Sequence, residues 1–371
     1  MPNETPMTSF RARRTRRLLA AVTIAGATAC GGDSPVGTRE SPPVNPTDTM
    51  ALRTLVQTRS LPIAIGAAAG ALFGTTDAVG TQYSTVLAHE FDVLTPENDL
   101  KFTAVQPARG QFSYTRADAM VAFAQAHGMR VRGHTLAWYQ QIPQWVTGGT
   151  WTKSEAKALL DDHITNVVGH YRGKLAAWDV VNEAVSDGTG ALRPGFWADH
   201  IGREYIEQAF RTARAADPDV PLFYNDYNIE GAGTKTDSVF ALLSDLKARG
   251  VPVDGVGMQM HLTVGGVPST LAQNFARFAS SGLKIQITEL DVRVPTPATA
   301  ASLQQQAADY RAVYAACLAQ PACNMVVTWG FTDRASWVPS TFPGQGEALL
   351  FDANFAKKPA YTAVHDLLAG K

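Results

Sequence analysis

The sequence predicts an α/β fold, a single (β/α)8 TIM barrel, on three observations. Short apolar, β-branched runs recur eight times, and the last seven lead into polar residues. Stretches with helical spacing of apolar residues separate them. No glycine-rich phosphate fingerprint follows the first run, which disfavours the competing doubly wound open sheet. Eight alternating strand and helix units over ~320 residues suit one barrel with enlarged loops.

The elements follow in order. A strand is expected at 63–66, where Ile63 and Ile65 precede Gly66. Another at 92–95 leads to Glu97 and Asn98. A helix at 117–127 stops at Gly128, a residue type suited to the left-handed turn that ends helices. The strand at 130–134 ends in His134, with Trp138 and Gln141 beyond. A helix over 153–171 precedes Ala-Trp-Asp-Val-Val-Asn at 177–182, which delivers Asn182 and Glu183. After a helix at 204–216, the strand at 222–225 leads to Asn225, Asp226 and Tyr227. The helix at 236–249 stops at Gly250, and the strand at 255–259 ends at Gln259, with His261 next. The helix at 271–280 ends near Gly282, and the strand at 284–288 delivers Glu289 and Asp291. Apolar and alanine positions at mixed threes and fours predict an amphipathic helix at 302–318. The last strand, 325–329, ends in Trp329.

The body of the chain is preceded by a segment of different character. Of the 371 residues, 45% are hydrophobic and 18% charged, as in soluble globular proteins. Residues 1–29 carry five Arg and one Glu, so the rest of this chain of net charge −1 is mildly acidic. That charge leaves no footprint for nucleic acid. The Arg-rich stretch and the apolar run at 18–29 predict an export signal, too short to span a bilayer as a mature helix. Ala27-Thr28-Ala29-Cys30 is similar to a bacterial lipoprotein cleavage box, with Ala27 where Leu is usual, making Cys30 the candidate lipidation site. Arg16-Arg17 also permits a twin-arginine signal. Export, to the cell or outer-membrane surface or as a secreted protein, is the expectation, with membrane contact only through that anchor. Residues 30–50, rich in Pro and Gly and without aromatics, read as a flexible linker to a domain at 51–371. The remaining cysteines, Cys317 and Cys323, are six positions apart and form either a small-loop disulfide or two buried thiols. Three cysteines are too few for a metal-binding cluster.

In a barrel, the polar residues at successive strand ends converge on the C-terminal face, where active sites of this fold lie. Singly, Glu97 could cap a helix, His134 could be a satisfied core histidine and Trp329 could fill space. Seven successive strand ends are harder to explain as packing. Two acids, Glu183 and Glu289, far apart in sequence and each at the end of a buried strand, suggest the pair that cleaves a glycosidic bond.

These residues lie in the stretches Thr95-Pro96-Glu97-Asn98 with Lys101, Arg132 through Trp138, the segment around Glu183, Tyr224 through Asn228, Gly257 through His261, Ile287 through Asp291, and Thr328-Trp329-Gly330. Together, from about residue 53 to 368, they resemble glycoside hydrolase family 10, the endo-β-1,4-xylanases. The ending from Leu349 to Tyr361 is also similar. The resemblance implies a retaining mechanism on xylan and xylo-oligosaccharides, with Glu183 as acid/base and Glu289 as nucleophile. Retention calls for carboxyls about 5–5.5 Å apart. The resemblance further implies that Asn182 bonds the sugar 2-hydroxyl and that His261, oriented by Asp291, holds the nucleophile. His134, Gln259, Glu97, Asn98, Lys101 and Gln141 would bind glycone hydroxyls. Trp138, Trp329 and Trp337 would pack on sugar faces, and Tyr227 would serve the aglycone side. No cofactor or metal is needed, and a monomer is expected.

Tyr139 departs from the family pattern, which commonly has His after Trp138, and puts glycone-side binding in question. Two rival readings remain: an endo-glucanase of the same clan, and a catalytically silent carbohydrate-binding barrel. Clan endo-glucanases typically place Pro after the acid, whereas Ala184 follows Glu183; silent barrels usually lose a carboxylate, whereas both are present.

Overall fold

The computed structural model describes residues 50–371. The expected signal, Cys30 and all of the linker but Met50 lie outside the described residues. Eight parallel strands form the barrel: β1 (Ala64–Ala69), β2 (Val93–Pro96), β3 (Arg130–Ala137), β4 (Ala177–Asn182), β5 (Leu222–Asp226), β6 (Gly255–Met258), β7 (Lys284–Pro295) and β8 (Cys323–Thr328). Each pairs with the next, and β8 returns to β1, Ala64 opposite Met325, so the barrel has no free edge. The main helix after each strand lies at α1 (Ala78–Glu90), α2 (Thr115–Ala126), α3 (Lys153–His170), α4 (Glu204–Ala216), α5 (Thr234–Ala248), α6 (Leu271–Ser280), α7 (Ala300–Ala319) and α8 (Pro359–Ala369).

Local sequence explains the element ends. Asp77 caps α1 through the Gly80 amide at 2.8 Å, and Thr152 with Glu155 forms a capping box at the start of α3. Gly128, Gly250 and Gly282 adopt φ of +63°, +67° and +71° where helices stop. β1 is the element that propensity describes least well. Its sequence, AIGAAA, contains mostly helix-forming alanine, yet it is fully buried between β2 and β8. Small side chains suit the seam: a Cβ on Gly66 would come within 2.8 Å of the Val93 side chain. Packing overrides propensity there.

The barrel interior is not wholly apolar. Arg132, 1% exposed, pairs through its two terminal nitrogens with buried Asp179, and its Nε donates to Gln286 at 2.9 Å. Burying that guanidinium is tolerable because its charge is matched and its donors are used. Asp179 also meets His134 Nδ1 at 2.9 Å, which connects this polar layer to the upper face.

Candidate active site

Of the two predicted acids, Glu183 stands just past the C-terminal end of β4 and Glu289 midway along the long strand β7. Glu183 follows Asn182, the last residue of β4, and its amide donates to the Asn225 carbonyl on β5 at 2.8 Å. The Glu289 amide donates to the Gln259 carbonyl beyond β6 at 3.1 Å. Glu183 and Glu289 are only 7% and 4% exposed, so each carboxylate needs partners. Glu183 accepts from Trp138 Nε1 at 2.9 Å, Gln259 Nε2 at 3.0 Å and Asn182 Nδ2 at 3.2 Å. Glu289 accepts from Asn225 Nδ2 at 2.8 Å and meets His261 Nε2 at 3.1 Å. Amides connect the two acids. Asn182 Oδ1 accepts from Gln259 at 3.2 Å and from Asn225 at 2.9 Å, giving a chain Glu183–Gln259–Asn182–Asn225–Glu289.

The two acids have different electrostatic surroundings. His261 bridges Glu289 and Asp291, the latter at 3.0 Å from Nδ1. Burial alone would make the imidazole less basic, but the charges and hydrogen bonds of Asp291 and Glu289 outweigh it and raise its pKa. Burial likewise opposes ionisation of Glu289. The His261 hydrogen bond, the charges of His134 and His261, and Asn225 prevail, and its pKa is lowered. Glu289 is thereby held as a carboxylate. Burial raises the pKa of Glu97, countered by the charge of Lys101, and lowers that of Lys101, countered first by the charge of Glu289 and then by that of Glu97.

The acids face a cleft of about 670 Å³ lined by polar groups and tryptophans. Of the predicted residues, Glu97, Asn98, Lys101, His134, Trp138, Gln141, Asn182, Glu183, Tyr227, Gln259, His261, Glu289, Trp329 and Trp337 all line it. A model for "Glycosyl hydrolase family 10" matches residues 52–367. The chain belongs to glycosyl hydrolase family 10. It is 43% identical over 322 residues to endo-1,4-beta-xylanase B of Thermotoga neapolitana, an alignment covering 86% of this chain and 92% of that protein. The crystal structure of xylanase 10B from Thermotoga petrophila RKU-1 in complex with xylobiose superposes with a TM-score of 0.84 at 43% identity, covering 88% of this chain and 99% of that one. Native xylanase 10B from Thermotoga maritima gives 0.83 at 44% identity, covering 86% and 98%.

Against this family 10 background, the named residues make further contacts, several of them not legible in the sequence. Gln259 donates to the acid itself. Trp138 and Trp337 anchor their indole N–H groups on Glu183 and, at 2.7 Å, on Asp291. Asp291 is fully buried behind His261 rather than in the cleft wall. Lys101 Nζ donates to Asn98 at 3.0 Å and lies 4.9 Å from the Trp138 ring; Gln141 reaches Asn98 at 3.4 Å. The His134 ring meets Trp329 edge-on at 5.2 Å. Cys317 and Cys323 are joined by a disulfide, Cα atoms 5.2 Å apart.

Asn225, in the sequence only a polar residue at a strand end, holds Glu289. The paired register of β4 and β5 sets it opposite Asn182, a relation invisible in one sequence. Tyr139 was expected to bear on the glycone side. It does line the cleft, but its ring packs 4.9 Å from the guanidinium of Arg193, on the loop that follows Glu183. Arg193, Asp187 and Lys235, which surround Tyr227, carried no sequence signal because they meet only where the loop after β4 folds against the first turn of α5.

Proposed function

We propose that this family 10 chain is a retaining endo-β-1,4-xylanase that cleaves internal bonds of xylan. The observation that carries this reading is the hydrogen-bonded amide chain linking two buried carboxylates in different environments. Glu289, held ionised, attacks the anomeric carbon. The bond to the leaving sugar oxygen breaks, and Glu183 gives that oxygen its proton. The resulting glycosyl ester is hydrolysed by a water whose proton returns to Glu183 as its oxygen attacks the same carbon, releasing Glu289. Asn182, tied to both acids through Gln259 and Asn225, is suited to the 2-hydroxyl, a contact that strengthens in the transition state.

The xylan reading is supported by relatives named endo-1,4-beta-xylanases and by a xylobiose complex of a 43% identical protein. Chromatography of products from xylan and from β-1,4-glucan tests it. Short xylo-oligosaccharides with little release from glucan are expected; faster cleavage of glucan would favour the endo-glucanase reading. The proposal extends to a monomer in solution and to export through residues 1–29 with lipid on Cys30. Mass spectrometry of the mature N-terminus tests the latter: an unmodified N-terminus beyond Cys30 would refute lipidation.

A further inference from the structure

The backbone of Glu183 has a φ of +55°, in the left-handed region that side-chain-bearing residues avoid. Such a conformation persists only where the surroundings impose it. Here one side chain does much of that work. Arg193, ten positions later, donates from Nε to the Glu183 carbonyl at 2.8 Å and from a terminal nitrogen to the Val185 carbonyl at 2.9 Å. Its own amide donates to the Ala184 carbonyl at 2.7 Å. Arg193 thus grips the carbonyls of three consecutive residues starting at the acid. From the other side, the Ala184 amide donates to the Tyr224 hydroxyl at 3.1 Å, and that hydroxyl donates to Asp226 at 2.6 Å.

The guanidinium is itself fixed. It lies 4.9 Å from the Tyr139 ring and 5.5 Å from the Tyr227 ring, and it donates to Asp187 at 3.2 Å and to the Tyr227 hydroxyl at 3.0 Å. Lys235, 3.6 Å from the Tyr227 ring centroid and 3.1 Å from Asp187, completes the cluster. Arg193 is not among the residues lining the cleft, whereas Tyr139, Tyr227 and Glu183 are. Its influence on substrate is therefore indirect.

We propose that Arg193 is a positioning residue for the acid/base: with its side chain clamping the carbonyls of Glu183 and Val185, and its amide that of Ala184, it aims the Glu183 carboxyl at the leaving oxygen. This rests on Glu183 being the proton donor. The clamp also gives Tyr139 a role in this chain, as a buttress of the arginine. Without it the carboxyl samples orientations from which proton transfer fails, and an error of about 1 Å can cost 10²-fold in rate. Only leaving groups that need a proton are affected.

The test compares kcat/KM on xylotetraose, whose leaving group is a sugar hydroxyl, with kcat/KM on 2,4-dinitrophenyl β-xylobioside, whose leaving group departs unprotonated. Arg193→Met and Arg193→Lys should each lower the first about 10²-fold and the second by less than about threefold. The quotient of the two values does not depend on the folded fraction, so a destabilised variant still answers. Equal falls on both substrates would overturn the proposal. In a Glu183→Ala background, Arg193→Met should leave kcat/KM on the aryl substrate unchanged, because the group it positions is gone; a further fall there would also overturn it. Failure of the acid assignment looks different. Glu183→Ala alone would then lose the aryl substrate as severely as xylotetraose, and the clamp proposal would fall with it.

Discussion

Replacing His261 with Asn should shift the acid limb of the pH–activity profile to higher pH. In the parent enzyme Glu289 is buried, which opposes its charge, and the Nε2 contact from His261 at 3.1 Å helps to outweigh that cost. His261 stays charged because Asp291, 3.0 Å from Nδ1, and Glu289 flank it. An asparagine can mimic the Nδ1 side toward Asp291 but is too short to reach Glu289. The nucleophile then loses one charge-assisted hydrogen bond, worth about 1.5–3 kcal/mol. At 1.36 kcal/mol per pKa unit, its pKa rises by about 1–2 units. Because Glu289 attacks only as the carboxylate, the acid limb of kcat/KM moves upward by the same amount. The assay is kcat/KM on the dinitrophenyl xylobioside against pH, since that leaving group makes no demand on Glu183. An acid limb that does not move would refute the bridge. Stability carries the same signature with its signs separated. The raised His261 stabilises fully below about pH 6.5 and loses this as pH climbs through its folded pKa; the lowered Glu289 stabilises fully above about pH 4.3 and loses this as pH falls through its folded pKa. The thermal gap between parent and His261→Asn should therefore be widest between those two values.

Three further outcomes are expected. Glu183→Ala should retain kcat/KM on the dinitrophenyl xylobioside while turnover falls for want of a base; azide should restore turnover as a β-glycosyl azide, and no response to azide would reject the base role. Asn225→Ala removes the 2.8 Å donor to Glu289 and leaves the Thr288 hydroxyl, now 2.7 Å from Asn225 Oδ1, without its acceptor. Its kcat/KM on xylan should fall about 10- to 10²-fold at unchanged fold by circular dichroism, and parent-like activity would dismiss Asn225 as a holder of the nucleophile. Cys317→Ser with Cys323→Ser opens a small loop of sequence separation 6 and should lower unfolding free energy by about 2 kcal/mol in urea titration, with xylan cleavage unchanged; an unaltered midpoint would mean that the bond contributes nothing.

Much of this architecture was legible because barrel strands are buried on both faces and announce themselves as short apolar runs with polar ends. Glu183, Glu289, His261 and Trp329 each fall at such an end, and the structure brings them to one cleft. Extents were harder to read. β7 runs to Pro295, well past the expected 288, because its far half pairs with His261–Thr263 and with Gln345–Gly346, partners remote in sequence. β1 was seen only from its isoleucines, since its alanines have no strand signal of their own. The largest gap was in side chains that act on other side chains. Asn225 depends on strand register, Gln259 on the fold of the segment after β6, and Arg193 on a loop turning back to the acid. None of these relations has a fixed spacing along the chain.

The central claim is that Glu289 attacks sugar carbon directly and Glu183 serves twice as proton carrier. Proton NMR of the first-formed product from xylo-oligosaccharide, recorded before mutarotation, tests it most directly. The β-anomer appearing first is the predicted result, because two displacements restore the starting configuration. The α-anomer appearing first would mean that water attacks in a single displacement, and the roles assigned to both carboxylates would be wrong.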